Sequence, residues 1–370
     1  MRTFMMMAVA MLAWSCSNDS VIDKAQENEI HFNTNLHVET RASFTADNFA
    51  AFNVTALGNG GTYFANALVS RATAGSWFTD RTYYWPTYEL SFYGYAPTDL
   101  SSQVTLTPTA QTVDDFTPEA AVADQKDIVA AYSTGTKEHN AATGVNMHFM
   151  HQLAQIEVMA SNEDASTFDI AVLGVKLGRI PVKATLTLPA AERAHGTWST
   201  PTAQTSYGIK GTTPITLDGS MQSIMFGSDN WLMIPQQLTG MAFDESYNDN
   251  QGAYLAVLCR ITDKTGKVWY PVKDPGQTEV KYAYAAVSIS TRWEVGRKYT
   301  YRLKFFSTNG GAGCIDPVPT NPLDAEDPDV DPTPCPDKSG GAPIIDSPIT
   351  FNVSIEDWIA GNDEQITIEN

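Results

Sequence analysis

EIHFNTNLHVETRAS, residues 29–43, alternates apolar and polar side chains. Ile30, Phe32, Leu36 and Val38 are apolar and Thr34 keeps the beat, which is the two-residue period of a strand with one face turned to a core. The strand runs into polar residues around Arg41, the single arginine between Arg2 and Arg71. ITFNVSI, residues 349–355, carries the same period in Ile349, Phe351, Val353 and Ile355, and both stretches open Ile-x-Phe-Asn. Two look-alike core strands therefore stand near opposite ends of the chain, and the first can be detached at an arginine.

Between those ends, apolar runs bounded by Gly, Pro and Asn recur without helical periodicity. Strands are expected at 49–57, 63–69, 82–85, 90–95, 104–106 and 127–131. One long strand with a bulge is expected at 147–160, and two strands at 170–177 and 182–188, split by Gly178 and Pro181. The second half continues with 215–217, 231–234, 254–261, 268–272, 282–289 and 298–306. Fifteen Tyr, 16 Phe and 8 Trp suit sheet surfaces. The expectation is an all-β chain of two antiparallel β-sandwiches, residues 42–197 and 198–370, joined in the polar, turn-rich stretch 190–205. At 370 residues and 43% hydrophobic composition, two cores can be filled.

Lys and Arg number 23 against 42 Asp and Glu, a net charge of −19. Basic residues never run beyond two adjacent positions, which argues against a nucleic-acid partner. The N-terminus reads as a targeting segment: Arg2, an apolar run over 4–13, then small residues before Cys16. Residues 1–16 are expected to be a lipoprotein signal with Cys16 as the lipidated residue, anchoring the chain to a membrane by acyl chains. Residues 17–28 are polar and read as a flexible tether. Residues 307–343 hold seven acids and one lysine among many Pro and Gly, the composition of a solvated loop.

Catalytic motifs are missing: no His-Glu-x-x-His, no Gly-x-Ser-x-Gly, no phosphate-binding glycine loop. No enzymatic activity and no cofactor are expected. His148 and His151 fall on opposite faces of a strand, a poor metal pair. Asp327, Asp329 and Asp331 have the spacing of a calcium loop, but Pro332 and Lys338 stand where such a loop needs Gly and Glu. Trp77, Phe78, Tyr83, Tyr84 and Trp85 could form a sugar platform; core packing is the expectation. Cys259 lies in an apolar strand and reads as an inert buried thiol. Cys314 and Cys335 could close a loop of about 20 residues, a disulfide contributing roughly 3 kcal/mol.

Several stretches together resemble the fimbrillin-like, Mfa-like pilins of Bacteroidales. They are the lipoprotein-like leader, Glu39-Thr40-Arg41-Ala42, Tyr84-Trp85-Pro86, residues 90–97 (LSFYGYAP) and residues 149–154 (FMHQLA). Residues 232–236 (LMIPQ), 293–301 (WEVGRKYTY) and 349–358 (ITFNVSIEDW) complete the set. The resemblance implies two tandem transthyretin-like sandwiches of Greek-key type and export to the outer membrane as a lipoprotein. It implies that residues 17–41 are a propeptide, cut by an Arg-specific protease between Arg41 and Ala42, which removes Ile30, Phe32, Leu36 and Val38. It also implies polymerisation with other pilin subunits by donor-strand exchange, into a cell-surface fimbrium that meets a host or bacterial receptor. The donor would be residues 349–355 or the last residues, with Ile366 and Ile368. The acidic loop leaves stalk, tip and accessory positions open. A carbohydrate-binding surface lipoprotein and an uncleaved pilus anchor are the rival expectations.

Overall fold

The computed structural model describes residues 28–36, 49–72, 76–241, 252–272, 281–307, 313–314, 329–331, 344, 350–357 and 366–367. Strands carry almost all of them, in three sheets. The first sheet runs in the order β1 (Phe32–Leu36), β9 (Val145–His151), β8 (Val129–Gly135), β5 (Leu90–Ala96), β2 (Ala51–Gly58), β3 (Gly61–Arg71), β4 (Trp77–Thr79). The second runs β14 (Gln222–Ser223), β10 (Ala154–Asn162), β19 (Arg297–Phe305), β21 (Thr350–Asp357), β22 (Ile366–Thr367), with β15 (Trp231–Met233) also on β10. The third runs β20 (Gly313–Cys314), β18 (Ala283–Ser288), β16 (Tyr254–Asp263), β11 (Phe168–Thr187), β7 (Ala110–Phe116), β6 (Val104–Thr107). There β12 (Thr197–Trp198) and β13 (Thr202–Leu217) also join β11, and β17 (Val268–Tyr270) joins β16.

The all-β expectation holds, and the architecture follows from what each strand buries. One face of the first sheet packs on itself: Phe32, Phe52, Phe64, Phe92, Val129 and Phe149, from six strands, share one core. Gly94 makes room for this, since a Cβ there would lie 2.8 Å from Met147 Cε and 3.0 Å from Phe149 Cζ. The other face carries a second core, with Tyr93, Tyr95 and Ala130 against Val113, Phe116, Leu186 and Leu232. Both faces are covered, so residues 52–57 of β2 and 92–96 of β5 are buried throughout, Asn53 and Thr55 included. The second and third sheets face each other across a third core, with Ile156, Tyr299 and Leu303 on one side and Val175, Leu177 and Val257 on the other.

Two named strand pairs are parallel, β1 with β9 and β10 with β19, among otherwise antiparallel pairings. Parallel neighbours need long connections, and each pair is separated by over a hundred residues of chain.

Three expectations change. The stretch 147–160 is two strands in two sheets, β9 ending at His151 and β10 starting at Ala154. The slip in apolar phase between Phe149 and Ala154, read as a bulge, marks a change of core. The stretches 170–177 and 182–188 are one strand of twenty residues, β11. Gly178 and Pro181 bend it instead of ending it: the register with β13 slips between Leu177 and Ile180, and Arg179 has φ 56°. Finally, residues 154–182 pack in the core between the second and third sheets, while Ala184, Leu186 and Leu188 pack in the core under the first, so the stretch before 197/198 contributes to both halves.

Candidate functional site

The seat of the N-terminal strand is built from two backbone edges. On one side β1 lies parallel to β9, from Phe32 opposite Val145 to Leu36 opposite Phe149. The Val145 N–H donates to the His31 carbonyl at 2.7 Å. On the other side the Ile30 N–H donates to the Tyr83 carbonyl at 2.8 Å, and the Trp85 N–H donates to the Asn28 carbonyl at 2.9 Å. Glu29 and Tyr84 form the matching antiparallel bridge. The segment is therefore bonded on both flanks. Residues 82–85, expected as a strand, serve as this second edge; the ladder strand nearby is β4.

Side chains fill the seat as the alternation requires. Ile30 and Phe32 are each 3% exposed, while His31 and Asn33 point to solvent. Phe32 meets Phe92 edge-on at 5.6 Å and Phe52 at 6.2 Å. Burying two such side chains contributes about 3–6 kcal/mol gross. Gly144 lets the strand approach: its φ is +75°, and a Cβ would lie 2.9 Å from Asn33 Nδ2 and 3.1 Å from the His31 carbonyl oxygen. Asn33 Nδ2 also donates to the Thr143 carbonyl at 2.6 Å. The side chain of Leu36, Val38, the Arg41–Ala42 bond and Cys16 lie outside the described residues. Arg41 falls in the connection between β1 and β2.

The C-terminal candidates stand on the second sheet. β21 lies antiparallel to β19 from Thr350 opposite Lys304 to Asp357 opposite Arg297. Val353 and Ile355 are half-buried against the third core. Among the described residues β22 pairs with β21, with Ile366 opposite Ile355 and Thr367 opposite Ser354. Ile349, Ile368 and the Phe351 side chain lie outside the described residues.

Other predicted residues fall as follows. Trp77 packs on Phe49 and Phe52, Tyr83 stacks on Phe64 at 4.1 Å, and Trp85 meets Phe92. Phe78 and Tyr84 are exposed, so the five aromatics form no single platform. His148 and His151 do lie on opposite faces; His151 is buried with Nδ1 2.7 Å from Asp127 Oδ2. Asp329 pairs with Lys210 at 2.8 Å, and the Asp331 N–H donates to the Tyr282 carbonyl. Among the described residues no group of three or more His, Cys, Asp or Glu could hold a metal ion. Cys259 is fully buried and desolvation pushes its thiol up, the setting of an inert residue. Cys314 contributes backbone to β20, and Cys335 lies outside the described residues. No helix among the described residues is long and apolar enough to cross a membrane.

The fold and this seat define an all-β protein whose first strand completes a core that the rest of the sheet leaves open at two edges. A family profile described as fimbrillin-like matches residues 38–314, and the chain belongs to the fimbrillin-like family. A crystal structure of a fimbrial protein from Bacteroides vulgatus is similar over 90% of this chain and 99% of its own, at 15% identity and TM-score 0.53. The fimbrial anchor protein Mfa2 from Porphyromonas gingivalis is covered over 98%, with 90% of this chain, at 12% identity and TM-score 0.38. No curated protein matches. The family supports a fimbrium subunit at the cell surface.

Proposed function

We propose that this subunit is exported as a lipoprotein through Cys16, trimmed after Arg41, and then joined to the next subunit by strand replacement. The observation that carries the reading is the two-sided seat of residues 28–36. Removing them would expose the β9 edge, the 83–85 edge and the apolar hollow left by Ile30 and Phe32. Unpaired edges and a wetted core are costly, and an extended segment from another subunit answers both at once. Head-to-tail addition does not close on itself and gives a filament.

Of the two donor candidates, residues 349–355 have an intrachain partner in β19, so lending them would break a full ladder. The terminal segment gives up only the short β22 pairing. Ile366 and Ile368 also repeat the spacing of Ile30 and Phe32, two positions apart on one face. The terminal segment is therefore the donor in this reading.

The purified precursor, treated with an Arg-specific protease, should give a mature N-terminus at Ala42 and a ladder of SDS-resistant oligomers. Truncation before Gln365 should leave a folded monomer that no longer extends the ladder. Normal assembly by an Arg41→Ala variant would sink the strand-removal mechanism. Full assembly by the truncation would return the donor role to residues 349–355.

A further inference from the structure

Where the chain passes from the first sheet to the second, three segments enclose a cleft of about 790 Å³. They are residues 195–198, 235–237 and 292–297. Each wall is pinned. The Trp198 indole N–H donates to the Gln152 carbonyl at 2.6 Å, and the Gly196 N–H donates to Gln152 Oε1 at 2.8 Å. His195 Nδ1 donates to the His151 carbonyl at 3.0 Å, and the Gly296 N–H to the Leu153 carbonyl at 2.9 Å. The Trp293 N–H donates to the Gln236 carbonyl at 2.8 Å, and Gln237 bridges Arg292. Residues 151–153 thus hold two walls, and the third is tied to them through Trp293. The volume is within the range of about 300–1,000 Å³ usual for small-ligand clefts.

The lining is chemically selective. Gln236 Nε2 donates to the Pro181 carbonyl at 2.8 Å and Gln237 Nε2 to the Ser290 carbonyl at 2.7 Å, which leaves Oε1 as the atom each amide offers. Trp198 is half-buried, its ring 5.7 Å from that of Phe116, and it lines the cleft. Arg292 is exposed on the rim and has no carboxylate partner among the described residues. Two exposed lysines elsewhere do have one, Lys264 with Asp169 and Lys210 with Asp329. Arg292 and Arg297 against the single carboxylate of Glu294 leave the lining with one net positive charge in a chain of 42 acids and 23 Lys and Arg, which favours an anion.

We propose that this cleft binds an acidic saccharide. Arg292 takes the sugar carboxylate through its fork of N–H donors. The Trp198 ring covers the apolar face of the sugar, and Gln236 and Gln237 accept from its hydroxyls. An extended peptide is disfavoured because the strand at residues 197–198 is only two residues long and offers little ladder to extend. The site goes beyond strand replacement and operates in a single untrimmed subunit.

The test is calorimetric titration of the full chain with glucuronic acid, methyl glucoside and sodium sulfate. Glucuronic acid should bind and methyl glucoside should not. Arg292→Ala should weaken glucuronic acid about tenfold or more with the melting temperature unchanged. Arg193→Ala, an exposed charge outside the cleft, should bind as the native chain does. Equal binding of sulfate and glucuronic acid would reduce the site to an anion contact and overturn the saccharide assignment. Equal binding of methyl glucoside, unaltered binding by Arg292→Ala, or no binding of glucuronic acid would overturn it as well.

Discussion

Phe32 is the side chain on which the N-terminal strand turns. It is buried against Phe52 and Phe92, so Phe32→Ala should cost the precursor about 3–5 kcal/mol in denaturant unfolding. The same substitution is removed with the strand, so the trimmed subunit should be indifferent to it. A Phe32→Ala precursor as stable as the native one would mean the seat contributes little. His195 gives a second residue-scale outcome. Burial holds it below the ordinary histidine value, with the imidazole of His151 and the charge of Arg297 acting in the same direction and the His151 carbonyl acting against them. A depressed folded value means the unfolded chain binds the proton more readily. The stability it contributes is therefore complete above about 6.5 and is lost as pH falls through the folded value. Melting temperature should drop between pH 7 and 5, and His195→Gln should flatten part of that drop. An identical acid profile for His195→Gln would remove this residue from the account.

At the scale of elements, β1 and β11 show what the sequence disclosed and what it withheld. The alternation of Ile30 and Phe32 was legible because one face is buried and the other wet. The partner of β1 was not, since parallel pairing with β9 depends on contacts more than a hundred residues away. β11 was misread as two strands because Gly178 and Pro181 are ordinary strand breakers. What keeps the strand going is tertiary: Gly178 sits under the Tyr254 ring, where a Cβ would fall 1.9 Å from Cζ. Gly178→Ala should therefore displace Tyr254 and lower stability by more than about 1 kcal/mol, as thermal unfolding can report. A neutral Gly178→Ala would show that the ring moves freely. The cleft between residues 195–198 and 292–297 was not legible as a site in the sequence, because its walls are brought together by bonds to residues 151–153, far from both in the chain.

For the whole molecule, the charge of −19 sets the conditions of association. Subunits of like charge repel, and the reach of that repulsion falls from about 30 Å at 0.01 M salt to about 8 Å at 0.15 M. Trimmed subunits should therefore elongate faster as salt rises over that range, followed by light scattering. A rate that falls with salt would point to complementary charged faces instead.

The twenty residues of β11 run unbroken from the second half's core, where they pair with β16, to the first half's, where they pair with β7. A pull applied at one end of the subunit thus travels along a single covalent backbone, and its lateral bonds on both halves are loaded lengthwise, all together, instead of unzipping one at a time. The two halves thus share one continuous strand, and a force crossing between them is borne by that backbone together with its bonds to β16 on one side and β7 on the other.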